Sequence, residues 1–292
     1  MDRKNFIKKS ILGTAATITT ASAIAGSEKK EESTYDRLMK PLGHEHIPNK
    51  EEKTMNTVLH RANTRGHANH GWLDARHTFS FANYHNPERM HFGVLRVLND
   101  DRIAGGKGFG THPHDNMEII TIPLAGDLEH KDSMGNSAII RHGEVQVMSA
   151  GTGIFHSEFN ANQDEEVKLF QIWLFPKKRN VTPRYDQIEI SDLAKKNSFY
   201  QVLSPNADDQ GVWIHQDAWF HIGEFEDGKG DHYSIKRPGN GAYVMVIEGE
   251  VEVDGQKLYA RDGYGIWNAE GFDLKADGDA RVLVMDVPMS IS

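Results

Sequence analysis

Two short segments of the sequence carry side chains of the types that bind transition metals. The first is His112-Pro113-His114, and the second is His156-Ser157-Glu158. Because residues two apart in a β-strand project from the same face, each segment can present two side chains to one ion. If the two strands are neighbours in a barrel, three imidazoles and one carboxylate converge. This N/O set suits Fe(II), Mn(II), Ni(II), Cu(II) or Zn(II) and leaves positions for a chelating substrate or O₂.

A second carboxylate competes with Glu158 for a role in this site. Glu118 stands an even number of residues after His114, so an uninterrupted strand would place it on the ligand face as well. The spacing therefore leaves Glu118 open as an alternative ligand, or as a group that accepts a hydrogen bond from an imidazole N–H.

Other residues near these segments allow weaker predictions. We expect His67, His70 and His77, which are unevenly spaced, to form hydrogen bonds within the start of the barrel rather than a second metal site. The pair His130 and Asp132 is a candidate for the mouth of the site. An aromatic and apolar pocket for a planar substrate is predicted from side chains close to the ligands, with core packing as the alternative for some of them: Phe109, Met117, Phe155 and Phe159.

Composition excludes several classes of site. The sequence has no cysteine, which excludes disulfides, thiolate metal sites, iron–sulfur clusters and a cysteine nucleophile. Any transition metal must therefore use histidine and carboxylate ligands. The formal charge is -9, and no Lys/Arg-rich stretch of the mature chain suggests a phosphate-binding face, so we expect no nucleic-acid partner.

The first residues have the composition of an export signal. A basic start containing Arg3 and Lys4 precedes an uncharged run from Ser10 to Ala25, so residues 1–25 are predicted to be a signal peptide similar to twin-arginine signals. The predicted location is periplasmic, or cytoplasmic if the signal is not used. The uncharged run is too short and too polar for a membrane span, so no stable membrane insertion is expected after cleavage. Residues 26–56, rich in Glu and Lys, are predicted to be a flexible tether.

The rest of the chain is predicted to be all-β. Short apolar runs alternate with Gly, Asn and Asp turns, as in Phe92 to Leu98 followed by the predicted turn Asn99-Asp100-Asp101. Only short helices are expected, for example near residues 191–196. Such spacing indicates barrels or sandwiches rather than alternating strands and helices.

The sequence contains two similar halves. The segment 123–128 (PLAGDL) parallels 246–251 (VIEGEV), and each is an apolar strand, a turn glycine and a return strand. We predict two antiparallel, jelly-roll-like barrels in tandem, over residues 57–176 and 177–292. Only the first half has paired histidines beside its hairpin, so the second barrel is expected to lack metal ligands.

The metal-ligand segments resemble the two cupin motifs. More narrowly, the sequence from residue 57 onward is similar to the pirin family, in its bacterial branch related to quercetin 2,3-dioxygenases. The residues that match the first cupin motif are Gly106, His112, His114, Glu118 and Gly126. Those that match the second are Gly143, Gly153, His156 and Asn160. The pirin resemblance is carried by Arg65–Asp74, His77–Ala82, Phe109–His114, Asp132–Asn136 and Met148–Ile154.

This resemblance implies a bicupin fold, iron as the metal, and Glu158 rather than Glu118 as the carboxylate ligand. It also implies an enzyme that opens a flavonol such as quercetin with O₂ and releases carbon monoxide. In that reaction Glu158, by transient release, or Glu118 would accept the substrate's hydroxyl proton. The alternatives are a non-enzymatic, metal-bearing redox sensor or binding protein, and a cupin enzyme with another small-molecule substrate.

Overall fold

The computed structural model describes residues 54–291, and within that range the protein is built almost entirely of strands. The predicted signal peptide, residues 1–25, and the part of the predicted tether up to residue 53 lie outside the described residues. Helical structure in the described range is limited to two single-turn 3-10 helices, Ala62–Thr64 and Ser191–Leu193. Residues 54–291 contain no helix with the length and apolar character needed to cross a membrane. The all-β prediction is confirmed.

The strands of the first half and its edges are β1 (Asn56–His60), β2 (Gly66–Asn69), β3 (Leu73–His77), β4 (Leu95–Ile103), β5 (Gly108–His114), β6 (Glu118–Ala125), β7 (Leu128–Asp132), β8 (Ser137–Ile140), β9 (Glu144–Ser149), β10 (Ile154–Asn160), β11 (Val167–Leu174) and β12 (Arg184–Glu189). The second half continues with β13 (Phe199–Ser204), β14 (Val212–Trp213), β15 (Trp219–Phe225), β16 (Gly230–Ser234), β17 (Asn240–Glu248), β18 (Glu250–Val253), β19 (Gln256–Tyr259), β20 (Gly263–Trp267), β21 (Gly271–Ala276) and β22 (Ala280–Pro288).

These strands form four sheets in two matching pairs. Sheet I has the order β12-β9-β6-β11-β4-β3-β2, and sheet II has the order β5-β10-β7-β8. Sheet III (β1-β20-β17-β22-β15-β13-β14) and sheet IV (β16-β21-β18-β19) repeat this arrangement in the second half. The pairings are antiparallel except that of β13 with β14. The two predicted barrels are therefore two copies of one architecture.

Apolar cores hold the four sheets together in layers. One core joins sheets I and II, for example through Leu169 and Leu128, and another joins sheets III and IV through Val244 and Leu274. The largest core lies between sheets I and III. Sheets I and III are thus covered on both faces, which explains why their central strands β11 and β17 are apolar almost throughout.

Two strands cross the predicted boundary between the halves. β1, which begins the folded region, pairs with β20 of sheet III, whereas β12, which follows residue 177, pairs with β9 of sheet I. One edge strand of each large sheet therefore comes from the other predicted half: β12 in sheet I and β1 in sheet III. The domain limits at 57–176 and 177–292 stay a prediction. The strand pairing adds that sheets I and III each contain a strand from the other side of this boundary.

The predicted turn at Asn99-Asp100-Asp101 is wrong, because these residues lie inside β4. Asn99 and Asp101 face the first barrel's interior and pair across β11 with Gln171 and Leu169. Asp100, on the other face, accepts a hydrogen bond from Arg65 at 3.1 Å. These polar residues, which are typical of turns, lie in a strand here because the fold supplies them with partners, either across the strand pairing or through the side chain.

The two predicted hairpins are confirmed. Gly126 joins β6 to β7 with φ +72°, and Gly249 joins β17 to β18 with φ +77°, a conformation that glycine adopts without steric cost. Gly126 and Gly249 occupy equivalent positions, so they give the residue-by-residue alignment of the first half with the second.

Candidate metal centre

Three of the predicted ligands come together in the interior of the first barrel. His112 and His114 lie on β5, and His156 lies directly across from His112 on β10. All three are buried, and one ring nitrogen from each lies within 4.8 Å of the others. Two nitrogens bound to one ion at about 2 Å lie no more than about 4 Å apart. Displacements of the ring nitrogens by about 1 Å would therefore allow all three histidines to bind one metal ion. The histidine prediction has a clear geometric basis.

The tautomer of His112 suits metal binding. Its Nδ1 lies 2.8 Å from the carbonyl oxygen of Gly110 and donates a hydrogen bond to it. A neutral imidazole that donates from Nδ1 carries its lone pair on Nε2, and hydrogen bonds of this kind orient metal-binding histidines in proteins. The backbone of β5 thus prepares one ligand nitrogen before any ion is present.

Glu158 shares the interior face of β10 with His156 and is 2% exposed. Its Oε1 accepts a hydrogen bond of 2.9 Å from Nε2 of Gln171, which lies on β11 in the facing sheet. The group of atoms within 4.8 Å comprises the three histidines and does not include Glu158. Glu158 therefore stands next to the histidine group as the predicted fourth ligand, with one oxygen directed to Gln171.

The structure places Glu118 away from the histidines. Its Oε2 accepts a hydrogen bond of 2.6 Å from Ser149, and the backbone of His215 from the second half also binds it. On β6, Ile120 and Ile122 share this face and pack in the core between sheets I and III, whereas Ile119 faces the barrel interior. Burial raises the pKa of Glu118 to about 7 against the lowering effect of these hydrogen bonds.

The alternative role for Glu118 assumed an uninterrupted strand from His114, and the structure interrupts it. Between β5 and β6 the chain turns at Asn116, whose φ is +45°. The alternation of side chains therefore does not carry over from His114, and an even spacing no longer means the same face. A role for Glu118 as ligand or proton acceptor has no geometric support.

His130 and Asp132, which the sequence made candidates for the mouth of the site, have side chains buried beside the histidine group. His130 is 1% exposed, and its ring centroid is 5.3 Å from that of His156. Nε2 of His130 lies 3.2 Å from Oδ2 of Asp132. Burial alone would raise the pKa of Asp132, but hydrogen bonds from Asn136, His130 and the backbone hold it below its usual value. Asp132 is thus an anionic anchor for His130 in the wall of the site.

The apolar wall of the site differs from the one predicted. Phe155 and Phe159 alternate with His156 and Glu158 on β10, so they point out of the barrel, and Phe155 is 54% exposed. Phe109 is buried in the core against Trp72. The ring of Trp173 instead contacts His114 edge-on, with centroids 4.9 Å apart. Around it lies an apolar cluster that includes Phe81, Ile119, Met148 and Ile154, with Met117 packed against it.

Gln171 and Trp173 are site residues that sequence reasoning missed. Both lie on the interior face of β11, and Nε1 of Trp173 donates a hydrogen bond of 3.2 Å to Oε1 of Gln171. The available signal was Gln171 itself, the one amide in the apolar run 169–174. A polar side chain in a fully buried strand has to find a partner inside the protein.

His67 and His77 form hydrogen bonds within the first barrel, as predicted. His67 lies 3.1 Å from Asp74, and Nδ1 of His77 lies 2.9 Å from Asn99 Oδ1. Burial lowers the pKa of His77 to about 4. Within residues 54–291, the group of His112, His114 and His156 is the only set of three or more potential metal ligands in close approach. Its donors fit a divalent transition metal, since imidazole nitrogen is a common ligand of such ions.

Comparison with known proteins agrees with this architecture. A family profile described as Pirin matches residues 58–174, and one described as the quercetinase C-terminal cupin domain matches residues 201–287. The chain is 46% identical over 231 residues to a quercetin 2,3-dioxygenase of Escherichia coli, which covers 79% of this chain and 98% of the relative. It is 39% identical over 222 residues to a pirin-like protein of Caulobacter vibrioides, covering 76% and 95%.

Solved structures show the same fold. The bacterial pirin YhhW of Escherichia coli in complex with nickel(II) superposes with a TM-score of 0.75 at 44% identity, covering 80% of this chain and 99% of that one. The similarity extends over both halves of the described region.

Proposed function

The chain belongs to the pirin family, and from this premise we propose that it is a metal-dependent dioxygenase that opens a flavonol such as quercetin with O₂. The observation that carries the proposal is the buried group of His112, His114 and His156, with ring nitrogens within 4.8 Å of one another. The relatives named quercetin 2,3-dioxygenase, similar over nearly their whole length, support the choice of reaction.

The proposed metal site consists of these three histidines and Glu158. One carboxylate and three neutral imidazoles would leave a divalent ion with a net charge near +1, which favours an anionic chelating substrate. The bound ion would act as a Lewis acid and template that lowers the pKa of the substrate's hydroxyl group. We propose iron as this ion, with manganese, nickel, copper and zinc as the alternatives that the same donors accept.

The surroundings of the site suit a planar aromatic substrate. Trp173 contacts the ring of His114, Ile154 pairs with His114 across β5 and β10, and both belong to one apolar cluster. Such a wall excludes water and offers apolar surface to the rings of a flavonol. We propose that Glu158, by transient release from the ion, would accept the proton of the substrate's hydroxyl, because it is the carboxylate on the interior face of β10 beside His156.

With the hydroxyl deprotonated, we propose that O₂ adds across the heterocycle to give a depside and carbon monoxide. The test is to purify the protein, measure its bound metals and follow quercetin loss in air, with carbon monoxide as the diagnostic product. Samples reconstituted separately with iron, copper, nickel and manganese identify the active ion.

The expected result is turnover with stoichiometric carbon monoxide in at least the iron-loaded protein. Quercetin that persists under all four metal loadings, with metal occupancy verified in each sample, would rule out the dioxygenase.

A further inference from the structure

We propose that Trp173 and Gln171 form a hydrogen-bonded relay that sets the orientation of the Glu158 carboxylate toward the metal. Gln171 is then a positioning residue of the metal centre. This inference rests on the proposed function in one respect, namely that Glu158 is a metal ligand.

The relay connects the two facing sheets of the first barrel. Trp173 and Gln171 lie two residues apart on β11 of sheet I, so their side chains share the interior face. Trp173 Nε1 donates to Gln171 Oε1 at 3.2 Å, and Gln171 Nε2 donates to Glu158 Oε1 at 2.9 Å across the barrel. All three residues are at least nine-tenths buried, so bulk water does not compete for these bonds.

The chemistry of the three groups allows only one direction for the relay. The indole N–H of tryptophan can only donate, so it selects the oxygen end of the Gln171 amide. The amide nitrogen is consequently turned to Glu158, where it finds an acceptor. Because a carboxylate can only accept, Trp173 and Glu158 select the same orientation of an otherwise nearly symmetric amide.

The relay gives the two oxygens of Glu158 different roles. Oε1 accepts the hydrogen bond from Gln171, and in this proposal Oε2 is the oxygen that binds the ion. Because Trp173 also contacts the ring of His114, the same indole borders one ligand and orients another. Groups behind the ligands of a metal commonly fix ligand geometry in this way.

The second half of the molecule provides an internal comparison. The aligned hairpins and strand pairings match Glu158 with Leu274 and Gln171 with Val284. Where the carboxylate is absent, the amide that would hold it is absent too. The pair is present only in the barrel that has the histidine group.

The test compares Gln171→Met, Trp173→Phe, their combination, Glu158→Gln and a control variant with the intact protein. Gln171→Met removes the amide with little change of volume, and Trp173→Phe removes the N–H but keeps an aromatic ring. Gln146→Met is the matched control, because Gln146 is buried on the same face of sheet I, two strands from Gln171. Ni(II) affinity is measured by calorimetric titration and ligand geometry by the visible absorption of the Co(II)-loaded protein, with thermal unfolding of each metal-free variant to verify folding.

We expect Gln171→Met to bind Ni(II) about 10- to 100-fold more weakly and to shift the Co(II) absorption bands. Trp173→Phe should shift both in the same direction by a smaller amount, and should add nothing when combined with Gln171→Met. Gln146→Met should leave both readouts as in the intact protein.

Unchanged affinity and absorption in a folded Gln171→Met protein would overturn the relay. So would unchanged readouts in Glu158→Gln, since Glu158 would then not be a ligand. Failure of the intact, metal-loaded protein to consume quercetin would overturn the proposed reaction instead, because the relay is measured by metal binding and not by turnover.

Discussion

The first and second barrels share a strand order, yet their interiors hold different side chains at matching positions. On the paired strands β5 and β10, His112 faces His156, and on the matching strands β16 and β21, Tyr233 faces Phe272. The two aromatic rings stack with centroids 5.3 Å apart. One backbone arrangement thus supports a ligand pair in one half and a packed apolar pair in the other.

The large sheets differ in the same sense. A row of directly paired residues crosses the interior face of sheet I and consists of Asn99, Gln171, Thr121 and Gln146. The matching row of sheet III consists of His221, Val284, Val244 and Tyr264. The first barrel therefore lines its interior with hydrogen-bonding groups, whereas the second fills the same level mainly with apolar side chains.

Four buried polar side chains of the second barrel form one hydrogen-bonded network. Tyr233 donates to Asp286 at 3.3 Å and lies 3.2 Å from Nδ1 of His221, while Asn240 donates to Asp286 at 2.7 Å. Burial raises the pKa of Asp286 and lowers that of His221 to about 3. At the level where the first barrel holds its histidine group, the second barrel thus holds buried side chains that hydrogen-bond to one another.

Removing a ligand should have the largest effect. His156→Ala is expected to abolish measurable metal binding and quercetin turnover, because losing a direct ligand should exceed the roughly 10- to 100-fold loss seen when supporting groups are removed. The control is His232→Ala on β16, the strand that matches β5, where the histidine is exposed and pairs with Asp273. Metal content by elemental analysis is the measurement, and full occupancy in His156→Ala would break the comparison.

Truncating the matching residue of the second barrel should affect stability instead. Phe272→Ala is expected to lower the free energy of unfolding by about 3–5 kcal/mol, since Phe272 is buried in a core. Urea denaturation of the metal-free protein gives this value. Phe155→Ala, on the exposed face of β10, is the control and should change stability little. A Phe272→Ala protein that folds but loses its metal would show that the barrels are not separable in this way.

Glu118 offers a test that involves the contact between the two halves. Its pKa rises from 4.5 to about 7 in the folded protein, so the folded state keeps a proton that the unfolded state loses above pH 4.5. Its stabilising contribution is complete below pH 4.5 and is lost as the pH rises through 7, by about 3 kcal/mol.

Glu118→Gln should remove this decline between pH 4.5 and 7 and leave the pH profile of quercetin turnover unchanged. Unfolding free energies measured by denaturant titration across this range provide the check, with the exposed Glu165→Gln as control. A shifted turnover profile in Glu118→Gln would return this residue to the catalytic site.

The smallest effect is expected from the network of the second barrel. Tyr233→Phe removes one hydroxyl from its bonds with Asp286 and His221 and should lower stability by about 1 kcal/mol. Thermal unfolding and Ni(II) titration together test it. Metal affinity that falls in Tyr233→Phe would contradict a purely structural role for the second network.

The sequence alone was informative where chemistry depends on residue type and short spacing. The two segments His112-Pro113-His114 and His156-Ser157-Glu158 predicted a histidine group because alternation within one strand is a local property of the backbone. The hairpin glycines at 126 and 249 revealed the repeat for the same reason. The absence of cysteine limited any metal site to nitrogen and oxygen ligands.

Predictions that extended beyond one strand were less secure. Counting from His114 to Glu118 crossed the turn at Asn116, and the polar stretch at Asn99 gave the appearance of a loop. Phe155 and Phe159 were adjacent to ligands in sequence but lie on the other face of β10. In each case the deciding factor was the strand pairing, which a linear pattern does not contain.

The sequence by itself thus determined the ligand types, the strand character and the twofold repeat. Only the tertiary structure decided that β1 joins sheet III and β12 joins sheet I. It also decided that Glu118 faces the second half and that Gln171, bound by Trp173, reaches Glu158 from the opposite sheet. The physical reason is that these relations join residues on different strands, and their geometry exists only once the sheets have packed on each other.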